Sequence, residues 1–254
     1  MKLKDRFGRD GAFLFRWRSY LPLAFLTFAI PAFFQTVQTE DVMGEELSHA
    51  WVFFCMAISY TGLLVRCLTI GFIPAGTSGR GTKRQKAEVL NTTGMYSIVR
   101  NPLYLGNFLA MLGVVVSLMV WWLVAIFVLA YWLYIERIIW TEEEFLSARF
   151  GKIYDDWSAR TPVFIPNFAL WKPAALPFSR KTVLRREYHG ALAIAAAYFL
   201  IEVILDIGIK RESWSIWVVE DYLWVYLLLV CSVLYTTLMV LKKRTRLLNV
   251  SGRE

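Results

Sequence analysis

Two short segments of this chain carry side chains suited to holding a charged small molecule. The first, residues 91–108, reads NTTGMYSIVRNPLYLGNF and contains Tyr96, Arg100 and Tyr104 beside Asn101-Pro102. Proline is tolerated in the first turn of a helix, so a helix is expected to begin here with free backbone N–H groups. Two aromatic faces, a cation and N–H donors offer cation–π and hydrogen-bond contacts. We interpret this segment as half of a cofactor site.

The second segment, residues 136–157, reads ERIIWTEEEFLSARFGKIYDDW and combines carboxylates with aromatic side chains. Its apolar residues recur on one side, which predicts an amphipathic helix able to lie at a membrane interface. A run such as Glu142–Glu144 is usually a solvated face. The residues of the first segment also fit an interfacial aromatic belt with an arginine on the cytoplasmic side. On residue types alone, both interpretations stay open.

The composition predicts that these segments are positioned by membrane helices. Hydrophobic residues make up 57% of the 254 residues and charged residues 19%, against about 45–50% and 25% in soluble domains. The net charge is +8, and Lys and Arg cluster at the ends of apolar runs, which indicates lipid headgroups as partners and no nucleic acid. Two distant histidines and three dispersed cysteines predict no metal site.

Apolar runs long enough to cross a hydrocarbon core of about 30 Å predict about six membrane spans. The block 103–135 has no charged residue and is too long for one span, so two short spans with a turn near residues 119–122 are expected. We therefore predict an all-α, polytopic helical bundle with a cytoplasm-facing cofactor pocket, forming a single membrane domain over residues 1–254. The predicted spans are 20–38, 49–73, two within 103–135, 189–209 and 217–241.

The distribution of basic residues orients this bundle. Lys and Arg are concentrated before the first span, in 80–100, in 137–186 and after residue 241. The positive-inside rule then places both termini and both long polar segments in the cytoplasm. In a prokaryote this is the cytoplasmic membrane. Apart from Glu202, no charged side chain is expected deep in the spans, and an intramembrane carboxylate is by default functional or directed into the bundle.

The two segments together resemble the membrane methyltransferases related to isoprenylcysteine carboxyl methyltransferase and the phospholipid N-methyltransferases. The similarity lies in GMYSIVRNPLYLG followed by EE..L...FG..Y..W....P, within residues 75–168. Residues 188–254 form an additional C-terminal hairpin without a counterpart in the minimal family core. The resemblance implies S-adenosylmethionine as cofactor and a lipid or lipidated acceptor. It does not determine the oligomeric state. The residues it implies at the cofactor are Tyr96, Asn101, Pro102, Leu103, Tyr104, Gly106, Glu142 and Glu143.

The chemistry of methyl transfer suits these residue types. The sulfonium of the cofactor is cationic, so the tyrosine faces would hold it by cation–π contacts of about 0.5–2 kcal/mol each. Glu142 would bind the amino group or ribose hydroxyls through charge-assisted hydrogen bonds. In-line displacement depends mainly on positioning, and Arg100 or Arg137 would orient an anionic acceptor. Arg100, Arg137 and Glu142 are therefore the candidate catalytic residues. Asn101 replaces the family's histidine, which weakens any role as a base.

Two other functions remain open from the sequence. Membrane sterol reductases that use NADPH have a similar Arg-His-Pro-Asn-Tyr-x-Gly-Glu stretch, from which Leu103 and Asn107 depart here. A non-catalytic membrane protein or small transporter of the same fold is the second alternative. The hydrophobic runs contain no obvious pair of broken helices that would mark a transport path.

Overall fold

A computed structural model describes residues 13–14, 26–74 and 87–253, and every regular element within them is helical. The predicted all-α class is confirmed. A 3₁₀ turn lies at Phe168–Leu170, and a π-helix over Val203–Ile209 directly extends the α-helix Arg180–Glu202. The helices are α1 (Leu26–Met43), α2 (Glu45–Phe72), α3 (Met95–Ile98), α4 (Pro102–Ser117), α5 (Trp121–Phe150), α6 (Lys152–Ser158), α7 (Arg180–Glu202), α8 (Trp214–Glu220) and α9 (Tyr222–Arg244).

Four helices in the described part of the chain are long and apolar enough to span a membrane: α2, α5, α7 with its π-helical extension, and α9. Helix α4 is apolar but has only 16 residues, and α1 has 18. The protein is therefore an integral membrane protein, while the count of six spans stays a prediction. The basic N-terminal stretch and the loop 75–86 lie outside the described residues, and the placement of both termini in the cytoplasm also stays a prediction.

Several helix ends differ from the predicted span boundaries. The acidic stretch after the first span is helical, and only Gly44, with a φ of 84°, separates α1 from α2. Glycine adopts this conformation without the steric penalty that other residues incur. Helix α7 begins nine residues before residue 189 because Ser179 caps it by accepting a hydrogen bond from the Thr182 amide. The last predicted span is divided at Asp221 into α8 and α9.

The predicted turn within residues 103–135 is confirmed. Helix α4 ends at Ser117, α5 begins at Trp121, and Met119 adopts a φ of 56° between them. The Leu118 carbonyl accepts a hydrogen bond of 2.7 Å from the hydroxyl of Thr36 on α1, and both Thr36 and Val120 are fully buried. The turn is therefore anchored in the bundle, and it fixes α4 and α5 as a hairpin with the two sequence motifs at its open end.

Close packing of α2 on α4 sets the position of the first motif. A Cβ atom at Gly62 would collide with the Ala110 amide nitrogen and the Gly106 carbonyl oxygen. A Cβ atom at Gly106 would lie 2.7 Å from the Gly62 carbonyl oxygen and 2.6 Å from Cγ of Arg66. Small residues allow membrane helices to approach closely and gain van der Waals contact. The two glycines thus form the contact surface between α2 and α4.

Helix α7 packs on both α2 and α9, and its π-helical extension carries a polar cluster at the end of the bundle opposite the motifs. Lys210 Nζ lies 2.9 Å from Asp206 Oδ1 and 3.0 Å from Glu40 Oε2. Trp217 Nε1 donates to Asp206 Oδ2 at 2.8 Å. Glu202, the predicted intramembrane carboxylate, is 6% exposed. The charges in this cluster are paired or directed into the bundle.

Candidate functional site

The first motif begins where the chain enters α4. Pro102 occupies the first turn and is buried, while the Asn101 side chain does not cap the helix. Asn101 Nδ2 instead donates to the Val163 carbonyl at 3.1 Å, and the Arg100 amide donates to the Pro162 carbonyl at 2.8 Å. Because both residues bind the segment that follows α6, the two long polar segments predicted on one side of the membrane meet here.

This contact continues along the preceding turn. The Gly94 amide donates to the Lys172 carbonyl at 3.0 Å, and the Asn167 amide donates to the Ile98 carbonyl at 2.9 Å. The Lys172 amide donates to Ser97 Oγ at 2.9 Å. Backbone groups of a polar loop are therefore satisfied by a second loop, which gives α3 a defined position without a sheet or a long helix.

A hydrogen bond of 2.7 Å from the Tyr104 hydroxyl to Glu142 Oε1 joins the two motifs. Tyr104 lies in the first turn of α4, and Glu142 lies in the part of α5 beyond its apolar region. The Tyr131 hydroxyl donates to the Tyr104 carbonyl at 2.8 Å and holds the α4 backbone against α5. A hydrogen bond to a carboxylate is stronger than one between neutral groups, so Tyr104 orients Glu142.

Next to this pair, Arg100 Nη1 lies 2.8 Å from Glu143 Oε1, with side chains 16% and 27% exposed. The contact is an ion pair without hydrogen-bond geometry, because Glu143 Oε1 and Arg100 Nε are both buried and have no hydrogen-bond partner. Coulomb attraction therefore holds the Arg100–Glu143 pair together.

Tyr154 packs against the Arg100–Glu143 pair and is 4% exposed. Burial raises the pKa of its hydroxyl, Glu143 adds to the rise, and Arg100 opposes it. Tyr154 is the tyrosine of the motif EE..L...FG..Y, for which the resemblance implied no role. The structure gives it a contact with the ion pair, and its phenol remains protonated at physiological pH.

Tyr96 lies on α3, and its backbone carbonyl accepts a hydrogen bond of 3.2 Å from Trp157 Nε1. Burial raises the pKa of the Tyr96 hydroxyl, Glu142 adds to the rise, and Arg186 and Arg66 oppose it. The hydroxyl is therefore close enough to Glu142 to feel its charge. The structure thus brings Tyr104 and Glu142 into contact, and the charge of Glu142 acts on Tyr96. The roles of these three residues toward a sulfonium cofactor stay predictions.

We expect Tyr96 to remain neutral at a pH that ionises an ordinary tyrosine. The group's folded pKa is raised above its ordinary value of 10, so the phenol loses its proton only at a higher pH. Tyrosinate absorbance of the Tyr96→Phe variant should therefore equal that of the unmodified protein at about pH 10. A deficit of half a tyrosinate or more in the variant at this pH would contradict the burial of the hydroxyl.

A cavity of about 730 Å³ lies between α2, α4, α5 and α7, beside this site. Ligand-binding cavities commonly measure about 300–1,000 Å³. Most of its wall is apolar, and its polar lining includes Arg66, Asn107 and Glu187. None of these three residues belongs to the site predicted from the sequence. The expectation that Glu202 is the one charged residue deep in the spans is wrong for Arg66, which lies inside the predicted span 49–73. Glu187 lies just before the predicted span 189–209, and no spacing pattern connects residues 121 positions apart.

The remaining predicted residues have other positions. The Arg137 guanidinium donates to the Leu133 carbonyl one turn earlier, and five residues place Arg137 roughly 140° around α5 from Glu142. Leu103 is partly buried, and Gly106 packs against α2. None of these observations places the three residues at the Tyr104–Glu142 pair, so their cofactor and catalytic roles stay predictions. The described residues contain no group of three His, Cys, Asp or Glu side chains that could hold a metal ion.

Comparison with known proteins supports the resemblance derived from the motifs. Residues 50–153 match the family model for phospholipid methyltransferases. The match includes most of α2, the first motif and all of α5 with Glu142, while Tyr154, the rest of the second motif and α7 lie beyond it. The predicted resemblance is confirmed for this part of the chain.

Three curated proteins share part of this sequence. The nickel-cobalt-cadmium resistance protein NccN of Alcaligenes xylosoxydans xylosoxydans is 38% identical over 35% of this chain and 41% of its own length. The cobalt-zinc-cadmium resistance protein CzcN of Cupriavidus metallidurans is 34% identical over 35% and 40%. The protein-S-isoprenylcysteine O-methyltransferase of Schizosaccharomyces pombe is 35% identical over 34% and 36%. The chain thus spans about two-fifths of these relatives, and no solved structure matches it significantly.

Proposed function

We propose that this chain is an S-adenosylmethionine-dependent integral membrane methyltransferase that acts on a lipid or lipidated acceptor. The observation that carries the proposal is the hydrogen bond between Tyr104 and Glu142, because it joins the two motifs whose combination resembles the family. Both residues lie within the segment 50–153 that matches phospholipid methyltransferases. The similarity to an isoprenylcysteine O-methyltransferase supports the same reaction class over the NADPH-dependent reductases.

The residues of the site have separate parts in this proposal. S-adenosylmethionine supplies a methyl group on a cationic sulfonium and becomes the neutral thioether S-adenosylhomocysteine once the methyl is transferred. The aromatic faces of Tyr96 and Tyr104 stabilise positive charge, and Glu142 binds the amino group or the ribose hydroxyls. Arg100, which is ion-paired with Glu143, orients an anionic group of the cofactor or acceptor.

The chain's own contribution to rate is then positioning and exclusion of water. An acceptor that is already a carboxylate or phosphate anion needs no general base, because its oxygen forms the new C–O bond without losing a proton. An amine acceptor would instead have to arrive unprotonated or lose a proton. We favour a headgroup phosphate or amine over a prenylated cysteine, since Asn101 stands in place of the family's histidine and α7 and α9 extend beyond the matched segment.

The first experiment is calorimetric titration of the detergent-purified protein with S-adenosylhomocysteine and, separately, with NADPH. Micromolar binding of S-adenosylhomocysteine would support the proposal and justify a search for the acceptor with methyl-labelled cofactor and extracted lipids. Binding of NADPH alone would assign the chain to the reductases. Binding of neither ligand by protein that melts cooperatively would favour a non-catalytic membrane protein.

A further inference from the structure

An ion pair between Arg66 and Glu187 lines the apolar cavity described above. Arg66 Nε lies 2.7 Å from Glu187 Oε2, and Arg66 Nη2 lies 2.9 Å from Glu187 Oε1. Arg66 Nη1 donates to Asn107 Oδ1 at 2.7 Å. The Glu187 side chain is 3% exposed and that of Arg66 20% exposed. The guanidinium therefore presents its two-donor edge to a carboxylate and is held from behind by an amide.

The three residues come from different parts of the chain. Arg66 is on α2 and Asn107 on α4, both within the segment that matches the methyltransferase family. Glu187 is on α7, outside that segment. The ion pair thus connects the additional C-terminal hairpin to the matched core. Opposite charges in a buried pair contribute little net stability compared with apolar packing, so anchoring a helix does not by itself explain it.

The pair lies where the cavity adjoins the candidate cofactor site. Arg66 and Tyr131 both line the cavity. The Tyr131 hydroxyl donates to the carbonyl of Tyr104, whose own hydroxyl binds Glu142. An amphiphile whose chain lay in the cavity would bring its headgroup to Arg66. The planar fork of arginine binds carboxylate and phosphate oxygens in a two-point arrangement, and Glu187 occupies that arrangement here.

We propose that Glu187 is a built-in occupant of an oxyanion-binding position on Arg66, and that a carboxylate- or phosphate-headed single-chain amphiphile displaces it when the chain enters the cavity. This amphiphile is the methyl acceptor only if the proposed methyltransferase function holds. Binding itself does not require it. Glu187 then determines which headgroups enter, because each one has to compete with a carboxylate already in place.

The exchange is electrostatically reasonable. One oxyanion replaces another at the guanidinium, so Arg66 is neutralised before and after, while Asn107 keeps its bond to Nη1. Glu187 lies seven residues after the first residue of α7, about 10 Å along the helix from its polar end. Displaced Glu187 therefore has a short path to water. A cationic or uncharged headgroup gains nothing at Arg66 and leaves Glu187 in place.

The test measures binding of tritiated palmitate to the full chain in phosphatidylcholine nanodiscs, with unlabelled hexadecyl phosphate, hexadecanol and hexadecylamine as competitors. The Glu187→Gln variant should bind palmitate about tenfold more tightly, because the competing charge is removed. Glu187→Asp, which keeps the charge but shortens the side chain, should show a smaller gain. The double variant Arg66→Gln/Glu187→Gln should lose the gain and bind at least tenfold more weakly than Glu187→Gln, by about 1.4 kcal/mol or more.

The competitors separate the ligand classes. Hexadecyl phosphate should displace palmitate, and hexadecanol and hexadecylamine should not. Equal displacement by all three would reduce the cavity to a non-selective hydrocarbon site and overturn the role of Arg66. Unchanged or weaker palmitate binding by both Glu187 variants, in samples that melt cooperatively, would show that the ion pair only holds α7 to the core.

Binding of S-adenosylhomocysteine is measured on the same nanodiscs. Loss of the palmitate effects with normal S-adenosylhomocysteine binding contradicts the Glu187 proposal alone. The reverse result contradicts the proposed methyltransferase function alone. Glu144→Gln removes an exposed carboxylate on α5, away from Glu187 on α7. This charge control should leave both measurements unchanged.

Discussion

The Glu142→Gln variant is expected to bind S-adenosylhomocysteine about 10- to 100-fold more weakly, because a charge-assisted hydrogen bond contributes about 1.5–3 kcal/mol. The substitution keeps the shape of the side chain and its ability to accept from the Tyr104 hydroxyl at Oε1. It removes the negative charge that a cofactor amino group would pair with. Calorimetry on the purified protein measures the change directly.

The neighbouring carboxylate provides a control for this prediction. Glu144 is exposed, whereas Glu142 is partly buried, so Glu144→Gln should bind S-adenosylhomocysteine with unchanged affinity. Tyr104→Phe should cause a smaller loss than Glu142→Gln, because the aromatic face remains and only the hydroxyl that orients Glu142 is removed. Equal affinities for the Glu142 and Glu144 variants would exclude Glu142 from the cofactor site and remove the main support for the proposed function.

The Gly62→Val variant is expected to lose the packed α2–α4 core. Overpacking a core commonly costs about 1–3 kcal/mol, and here the new side chain would meet main-chain atoms of Gly106 and Ala110, which cannot rotate away. The effect should therefore be at or above the upper end of that range. We expect a lower melting temperature in detergent and, because α2 also carries Arg66, loss of palmitate binding in any folded fraction.

Two other glycines, on α7 and its extension, provide comparison variants with smaller expected effects on the melting temperature. A Cβ atom at Gly190 would lie 2.6 Å from Cδ1 of Leu63, and the end of a leucine side chain can move. At Gly208 the nearest atom is a carbonyl oxygen at 3.9 Å. Gly208→Ala should melt like the unmodified protein and Gly190→Ala slightly lower. A Gly62→Val protein as stable as Gly208→Ala would mean that α2 and α4 are further apart than described.

The parts of the fold that could be predicted are those that follow from length and hydropathy. The block 103–135 is too long for one hydrocarbon crossing, so a turn was required within it. Residues 119–122 contain no glycine or proline, and Met119 adopts the positive φ of the turn. Helix boundaries set by local capping were predicted less well. Ser179 extends α7 beyond its apolar part, and Gly44 alone separates α1 from α2, because helices continue past the apolar stretch that defines a span.

The site was predictable only where its residues lie in a contiguous motif. Tyr104 and Glu142 were proposed from their two motifs and are hydrogen-bonded. Arg66 and Glu187 were not, because a single charged residue in an apolar run has no sequence partner until the helices are packed. Gly106 illustrates the opposite case. Its place in the motif suggested a cofactor contact, whereas its local environment is the backbone and side chain of α2.

The shortness of α4 has a consequence for the surrounding lipid. Sixteen residues give a helix of about 24 Å, some 6 Å less than an ordinary hydrocarbon core. A protein with such a hydrophobic mismatch thins the bilayer around it or draws one end of the short helix below the headgroup plane. Because Tyr104 lies in the first turn of α4, the thickness of the host membrane becomes a physical variable that controls how deeply an amphiphile must be immersed to meet the site, and lipid composition can change it without any change in the protein.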